Sequence, residues 1–205
     1  MPGVKPQALA PFPRGKTYFD GGTVDATSGE HLLGQRFAFD DRDPTDPIKM
    51  RSGSWVVCEL VRNTGAAAII PKTAVIWKAG KRHKEIDGKV AVKHAEVAGI
   101  VDEFLPSGGL KVNDIGYVVV DGFSLCLTDL AGDEFTAFSE GDVLIAATAA
   151  TSGATTAGRV RQHDLTVAAT GITMAEMIYN RIGRACSANT TAQTNRSVLV
   201  DVKIL

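Results

Sequence analysis

From Ser54 to the C-terminus, apolar and β-branched residues come in short runs that are ended by Gly, Asn or Asp. Runs of this kind are too short for most helices and are typical of strands joined by tight turns. Many such strands in one chain predict a mainly β fold, a small β-barrel or sandwich of short antiparallel strands. The predicted strands are Trp55–Arg62, Ala67–Ile70, Ala74–Lys78, Val90–Lys93, Ala98–Phe104, Ile115–Val120, Phe123–Thr128, Val143–Ala147 and Val198–Leu205.

The predicted strands differ in how many apolar faces they carry. In Phe123–Thr128 and Val198–Leu205 every second residue is apolar, so each of these strands has one face to bury. Tyr117–Val120 and Val143–Ile145 are apolar throughout. A strand of that type is covered on both sides, here by the core and by an arm or a partner subunit.

One helix is predicted near the C-terminus. Thr173–Glu176 reads as a capping box, in which the threonine and the glutamate satisfy free amides of the first turn. Ile178 and Ile182 follow at helical spacing, and Gly183 can end the helix. The sequence therefore predicts one short C-terminal helix.

The first fifty residues have a different composition, because they contain six of the eight prolines. Proline removes a backbone donor, so this stretch cannot be a regular helix or a central strand. We predict an extended proline-rich arm over residues 1–50 and a β-domain over 51–205. The arm either reaches past its own domain or wraps around it. Its aromatic residues are candidate contacts with another protein: Phe12, Tyr18, Phe19, Phe37 and Phe39.

Charge and hydropathy exclude several classes of partner. The 22 Lys and Arg residues nearly cancel the 23 Asp and Glu residues, which leaves none of the positive field needed for general nucleic-acid binding. No continuous apolar run predicts a signal peptide or a spanning helix, so no membrane partner is expected. Cys58, Cys126 and Cys186 are far apart, and we interpret them as small buried hydrophobic residues.

No metal site can be recognised. The aspartates of Asp40–Asp46 are interrupted by Pro44, so they lack the spacing of a calcium loop and predict a solvated linker. The four histidines show neither HExxH nor HxE spacing. They are His31, His83, His94 and His163.

Motifs for nucleophilic or nucleotide chemistry are incomplete. Ser124 follows the first glycine of a nucleophile elbow, but Cys126 replaces the second glycine, so Ser124 is predicted to lie on the polar face of a strand. Gly80 and Lys81 resemble the end of a phosphate-binding loop, yet Arg82 stands where Ser or Thr would bind magnesium. We therefore expect no enzyme and no cofactor.

A basic run follows the predicted strand Ala74–Lys78 and precedes an Asp-Gly turn, which places it at a hairpin tip. It is either a solvated tip or a docking surface for an acidic protein, with Lys81 and Arg82 as candidate contacts. The run comprises Lys78, Lys81, Arg82, His83 and Lys84.

The second half of the chain combines several motifs in a recognisable order. Leu110–Gly122 contains a turn and a core strand, Ser139–Ile145 repeats this with a Gly-Asp turn, and Ile182–Ala185 precedes the terminal strand Ser197–Val202. This order resembles the head decoration, or cement, proteins of tailed bacteriophages. The similarity covers about half of the chain, and Asn113–Gly116 departs from it where a plain Gly-Asp turn is expected.

The resemblance implies a structural virion protein, made in the host cytoplasm and bound to the outer surface of the capsid. It implies a homotrimer that clamps neighbouring subunits of the major capsid protein. The alternative is a glycan- or ligand-binding β module, which would need exposed aromatic residues on one face. Trp55, Trp77 and Tyr117 all lie in apolar contexts that predict core positions instead. A small hydrolase would need a polar site that the sequence does not contain.

Overall fold

The structure is a computed structural model that describes residues 3–18, 30–89, 96–128, 137–146, 158–162, 181–188 and 197–204. Within these ranges it is mainly β, as predicted. Two single-turn 3₁₀ helices occupy Gln7–Leu9 and Glu30–Leu32. The strands are β1 (Val4–Pro6), β2 (Arg36–Asp43), β3 (Asp46–Asn63), β4 (Ala74–Trp77), β5 (Glu85–Lys89), β6 (Val97–Val101), β7 (Ile115–Leu127), β8 (Val143–Ala146), β9 (Val160–Gln162), β10 (Arg181–Ala185) and β11 (Ser197–Lys203).

All the described strands belong to one sheet in the order β1-β2-β3-β5-β4-β6-β7-β11-β10-β8-β9. An additional antiparallel pairing between β3 and β7 connects β3, β5, β4, β6 and β7 in a closed circuit. The other strands extend from this circuit on both sides, so the molecule is a folded β-sheet and not a clean barrel. The strands β3 and β7 are therefore the centre of the fold.

The central strands are buried on both faces. Along β7, Tyr117 and Val119 pack into one apolar core, while Val118 and Val120 pack into a second core on the opposite face. This alternation follows from the period of two along a strand. The expectation that Tyr117–Val120 is covered on two sides is confirmed.

Several predicted strand boundaries are wrong. Ile115–Val120 and Phe123–Thr128 form one strand, because Gly122 at φ +94° lets β7 bend without a turn. The predicted turn at Asp87 lies inside β5, and Ala67–Ile70 has only an isolated bridge at Ile69. The predicted strand Val90–Lys93 lies outside the described residues.

The described part of the predicted C-terminal helix is a strand. Ile182 and Gly183, expected to end the helix, lie in β10, and residues 163–180 are outside the described ranges. A Cβ on Gly183 would collide with the carbonyl oxygen of Asp201, so glycine permits close pairing with β11. The helical spacing therefore does not extend to this glycine.

The described strands within the first fifty residues belong to the sheet. β1 pairs in parallel with β2, β2 pairs with β3, and the boundary predicted after residue 50 falls inside β3. Asp40–Asp46, predicted as a linker, forms the end of β2 and the turn into β3. Pro44 and Pro47 lie at this turn and at the start of β3, where the sheet needs the fewest backbone donors.

Candidate adhesion surface

The β2–β3 hairpin extends beyond the rest of the sheet. In the described structure β3 pairs with β7 only from Val57 onward. Residues 42–50 therefore pair only with each other, and we call them the ribbon. The turn of the ribbon is ordered by Asp43, whose Oδ1 accepts hydrogen bonds from the backbone N (2.8 Å) and the Oγ1 (2.6 Å) of Thr45. These bonds lower the pKa of Asp43. Ile48 on the ribbon is 89% exposed, and Met50 is also exposed.

A bulge joins the ribbon to the sheet. Asp40 pairs with Trp55 but Arg42 pairs with Met50, so β3 carries extra residues at this point. Arg51 in the bulge turns inward, where its Nε and Nη2 donate to Asp41 Oδ1 at 2.9 and 2.6 Å.

The same guanidinium also reaches the loop before β7. Arg51 Nη1 and Nη2 donate to Glu103 at 3.2 and 3.0 Å, and Nη2 donates to the carbonyl of Phe123 at 2.9 Å. Asp41 and Glu103 are buried, so both carboxylates are compensated by Arg51. The bulge therefore holds the ribbon at a defined angle.

A second arginine attaches the N-terminal segment to the same loop. Arg14 Nε donates to Asp102 Oδ1 at 2.9 Å, the backbone N of Gly15 donates to Asp102 Oδ2 at 2.7 Å, and Arg14 Nη2 lies 3.6 Å from Glu103. Burial alone disfavours the charged guanidinium, but the negative charge of Asp102 and then that of Glu103 outweigh it and raise the pKa of Arg14. Residues 3–18 therefore wrap the chain's own sheet, which is one of the two alternatives that the sequence left open.

The aromatic residues of the predicted arm have three different environments. Phe12 packs on Tyr117 with ring centroids 4.9 Å apart, and it stacks on the exposed Tyr18 at 6.2 Å. Phe37 and Phe39 are buried in the core around Tyr117, so in this fold they do not form a surface contact. Phe19 lies outside the described residues.

The N-terminal edge of the sheet exposes apolar side chains that sequence reasoning did not single out. Val4 on β1 and Leu9 in the first 3₁₀ helix are exposed, the latter by 64%. Gln7 Oε1 accepts a hydrogen bond from the backbone N of Asp40 at 3.3 Å, which connects this segment to the base of the ribbon. We call Val4 and Leu9 the N-terminal patch. Only tertiary structure identifies it, since an isolated Val or Leu carries no motif.

The basic run forms a turn between β4 and β5, as predicted. Lys81 and Arg82 are exposed and lie near carboxylates of their own chain, at 3.9 Å from Glu85 and 2.5 Å from Glu96. His83 Nδ1 lies 2.9 Å from the buried Glu59, which also accepts a hydrogen bond from Arg36 Nε at 2.7 Å. Part of the positive charge of the turn is thus neutralised internally.

A cavity of about 460 Å³ lies at the other end of β3, beyond Asn63. Its described lining includes the loop 66–70 together with Thr73, Lys89 and Arg159. The Asn63 side chain orders this loop, since Nδ2 donates to the carbonyl of Ala67 at 3.0 Å and Oδ1 accepts from Gly65 N at 3.0 Å.

Two of the cysteines and Ser124 are buried inside the sheet. Burial raises the pKa of Cys58 to about 12 and that of Cys126 well above its ordinary value. Ser124 is fully buried, so its predicted place on a polar face is wrong. Among the described residues no group of three His, Cys, Asp or Glu side chains is arranged to hold a metal ion.

The aromatic residues of the alternative function do not share one surface. Tyr117 is fully buried and Trp77 is half-buried, but Trp55 is 59% exposed, so its predicted core position is wrong. Its place opposite Asp40, at the edge of the bulge, explains the exposure.

Comparisons with protein-family models, with curated proteins and with solved structures find no match for this chain. In the described ranges, no helix has the length and apolar character needed to cross a membrane.

Proposed function

We propose that this chain is a structural virion protein that binds the outer surface of a bacteriophage capsid and clamps neighbouring major capsid subunits. The observation that carries the proposal is the N-terminal patch. It holds exposed apolar side chains on a segment that buried charges fix to the sheet. The motif order of the second half supports the same function through its resemblance to cement proteins.

The energetics of such a contact favour a multivalent protein. A patch that buries a few hundred Å² of apolar surface contributes a few kcal/mol at about 25 cal/mol per Å², before the cost of association is subtracted. One copy alone would bind weakly. In a homotrimer each bound patch raises the effective concentration of the next, so avidity can reach 10² to 10⁴ times the affinity of a single contact.

The basic turn is the second element of the proposed surface. Lys81 and Arg82 are exposed and would face acidic groups of the capsid, with Glu85 and Glu96 as competing internal partners. Because exposed ion pairs contribute little, we expect this turn to orient the protein more than to hold it.

The test is co-sedimentation with capsids assembled without this chain. We expect the double variant Val4→Asp, Leu9→Asp to bind at least ten-fold more weakly, and Lys81→Glu, Arg82→Glu to reduce binding mainly at low salt. Val112→Asp, which places the same charge on another exposed apolar residue, is the matched control. Unchanged binding by both double variants, with circular dichroism spectra like that of the unaltered protein, would overturn the proposal.

The glycan- or ligand-binding alternative keeps one supporting observation, the exposure of Trp55. A glycan array with the unaltered protein tests it, and specific binding that is lost in Trp55→Ala would favour it over capsid decoration.

A further inference from the structure

The ribbon presents an apolar side chain without a covering element in the described structure. Ile48 is 89% exposed and Met50 is also exposed, and the register shift between the pairs Arg42–Met50 and Asp43–Asp46 leaves Ile48 without a strand partner, so the two side chains form an exposed apolar surface of the ribbon. The turn is ordered by Asp43 and the base by Arg51, so this face is presented by a braced hairpin. An ordered, projecting apolar face is typical of a protein-protein contact.

The loop cavity lies at the opposite end of the same strand. Because the bulge lets β3 advance by only two pairs between Trp55 and Met50, the stretch from Ile48 to Asn63 spans on the order of 35 Å at about 3.3 Å per residue. Ile48 of one molecule therefore cannot reach the cavity of that molecule. Only a second molecule can bring these two surfaces together.

The two surfaces match in size and carry groups of opposite charge. The cavity wall formed by loop 66–70 consists of three alanines and two isoleucines, and about 460 Å³ is ample for one isoleucine side chain with its neighbours. The exposed Lys89 also lines the cavity, and Asp43 and Asp46 flank the tip of the ribbon.

The cavity and the ribbon carry a second pair of opposite charges. Asp87 is the carboxylate among the described lining residues, and Lys49 lies beside Ile48 on the ribbon.

We propose that the ribbon of one copy inserts Ile48 into the loop cavity of the next copy, in a head-to-tail contact. Such a contact uses two different surfaces, so it closes into a ring or continues as a filament, according to the rotation between copies. A closed ring of three matches the homotrimer of the proposed function. The inference specifies which surfaces the copies of the proposed homotrimer use to contact each other, and it rests on that homotrimer alone.

The first test measures mass by native mass spectrometry and light scattering. We expect Ile48→Asp and the cavity-filling Ala67→Trp each to raise the dissociation constant of the oligomer at least ten-fold. Val112→Asp and Ala79→Trp make the same changes at exposed positions outside both surfaces and should leave the mass unchanged. An oligomer that persists in both Ile48→Asp and Ala67→Trp overturns the inference, as does an unaltered protein that is monomeric at all concentrations.

The second test identifies the surfaces by cross-linking in a Cys186→Ser background, because Cys186 is the half-buried free thiol. Ile48→Cys and Ala67→Cys are oxidised separately and as a mixture. A disulfide that forms only in the mixture supports the head-to-tail contact. A disulfide in Ile48→Cys alone shows two ribbons packed against each other and overturns it, and so does an oligomer that forms no disulfide in the mixture.

Capsid co-sedimentation separates this inference from the proposed function. If Ile48→Asp is monomeric and binds capsids with reduced avidity, both stand. If the mixture cross-links but the unaltered protein does not bind capsids, the function fails and the head-to-tail contact stands. If capsids bind the protein although no cross-link forms, the proposed function stands and the head-to-tail contact fails.

Discussion

At the scale of single residues, buried arginines decide how the N-terminal segment and the ribbon are held. Arg14 contacts Asp102 and Glu103, while Arg51 contacts Asp41 and the same Glu103 from a different part of the chain. Both guanidiniums are largely buried, so each must be paired with a carboxylate. Removing one partner of such a pair leaves an uncompensated charge in the interior. These pairs are a requirement of the fold.

Replacing Arg14 with methionine should lower the free energy of unfolding by about 3–5 kcal/mol, because Asp102 would remain buried without its cation. Urea denaturation measures the change. Arg42→Met is the control, since Arg42 pairs with Asp40 at 3.1 Å on the surface and its loss should cost at most about 1 kcal/mol. Similar losses in the two variants would contradict the assigned role of Arg14.

The buried thiol of Cys58 predicts a specific loss of stability in alkali. Burial raises its pKa from 9.0 to about 12, so the unfolded chain releases the proton at a lower pH than the folded protein. The stabilisation is fully present below pH 9 and is lost as the pH rises toward 12. The stability difference between the unaltered protein and Cys58→Ala should therefore narrow by on the order of 2 kcal/mol between pH 8 and 10.5. A difference that is independent of pH would show that the thiol is not buried.

At the scale of elements, a single glycine makes β7 one strand. Gly122 has φ +94°, and a Cβ at this position would lie 2.5 Å from the carbonyl oxygen of Trp55. The close approach joins β7 to β3 at the point where the pairing register shifts after Val57. A turn motif in the sequence therefore acts as a bend inside a strand.

Backbone strain at positive φ costs about 1–3 kcal/mol by itself. The collision with β3 adds to this cost, so Gly122→Ala should lower the free energy of unfolding by more than the strain alone. Thermal unfolding measures this loss. Gly53→Ala in the bulge is the matched control, since a Cβ there meets no atom within 4 Å. Equal melting temperatures for the two variants would contradict the close approach of β7 and β3.

At the scale of the whole molecule, the described part of the first fifty residues is continuous with the sheet. Deleting residues 1–18 would remove Arg14 and uncover Tyr117, so we expect that deletion to destabilise the fold. Substitutions at the N-terminal patch are the better test of adhesion, since Val4 and Leu9 are exposed.

The proposed assembly predicts a mass of three times 21.6 kDa at micromolar concentration in solution. Light scattering without any added cofactor checks this value. A ring held by three equivalent contacts should dissociate cooperatively on dilution, without a stable dimer. A stable dimer, or a mass that grows continuously with concentration, would contradict a closed trimer.

The sequence predicted the β class and the strands whose pattern is unambiguous. β11 has a valine at every second position and β4 is a short apolar run, and both are found where the pattern placed them. It also predicted the burial of Cys58 and Cys126, whereas Cys186, which was predicted to be buried as well, is only half-buried. These features are local: the period of side chains along a strand and the size of a side chain decide them.

The sequence by itself determined that this chain builds a β-sheet with a two-sided central strand, because continuous apolar residues such as Val118 and Val119 have no polar face to expose. Tertiary structure alone decided the rest. Whether Gly122 turns or bends, whether Asp41 is solvated or buried against Arg51, and whether Leu9 is covered depend on residues far away in the chain. Backbone conformation and burial at these positions are set by long-range pairing, which local composition does not record.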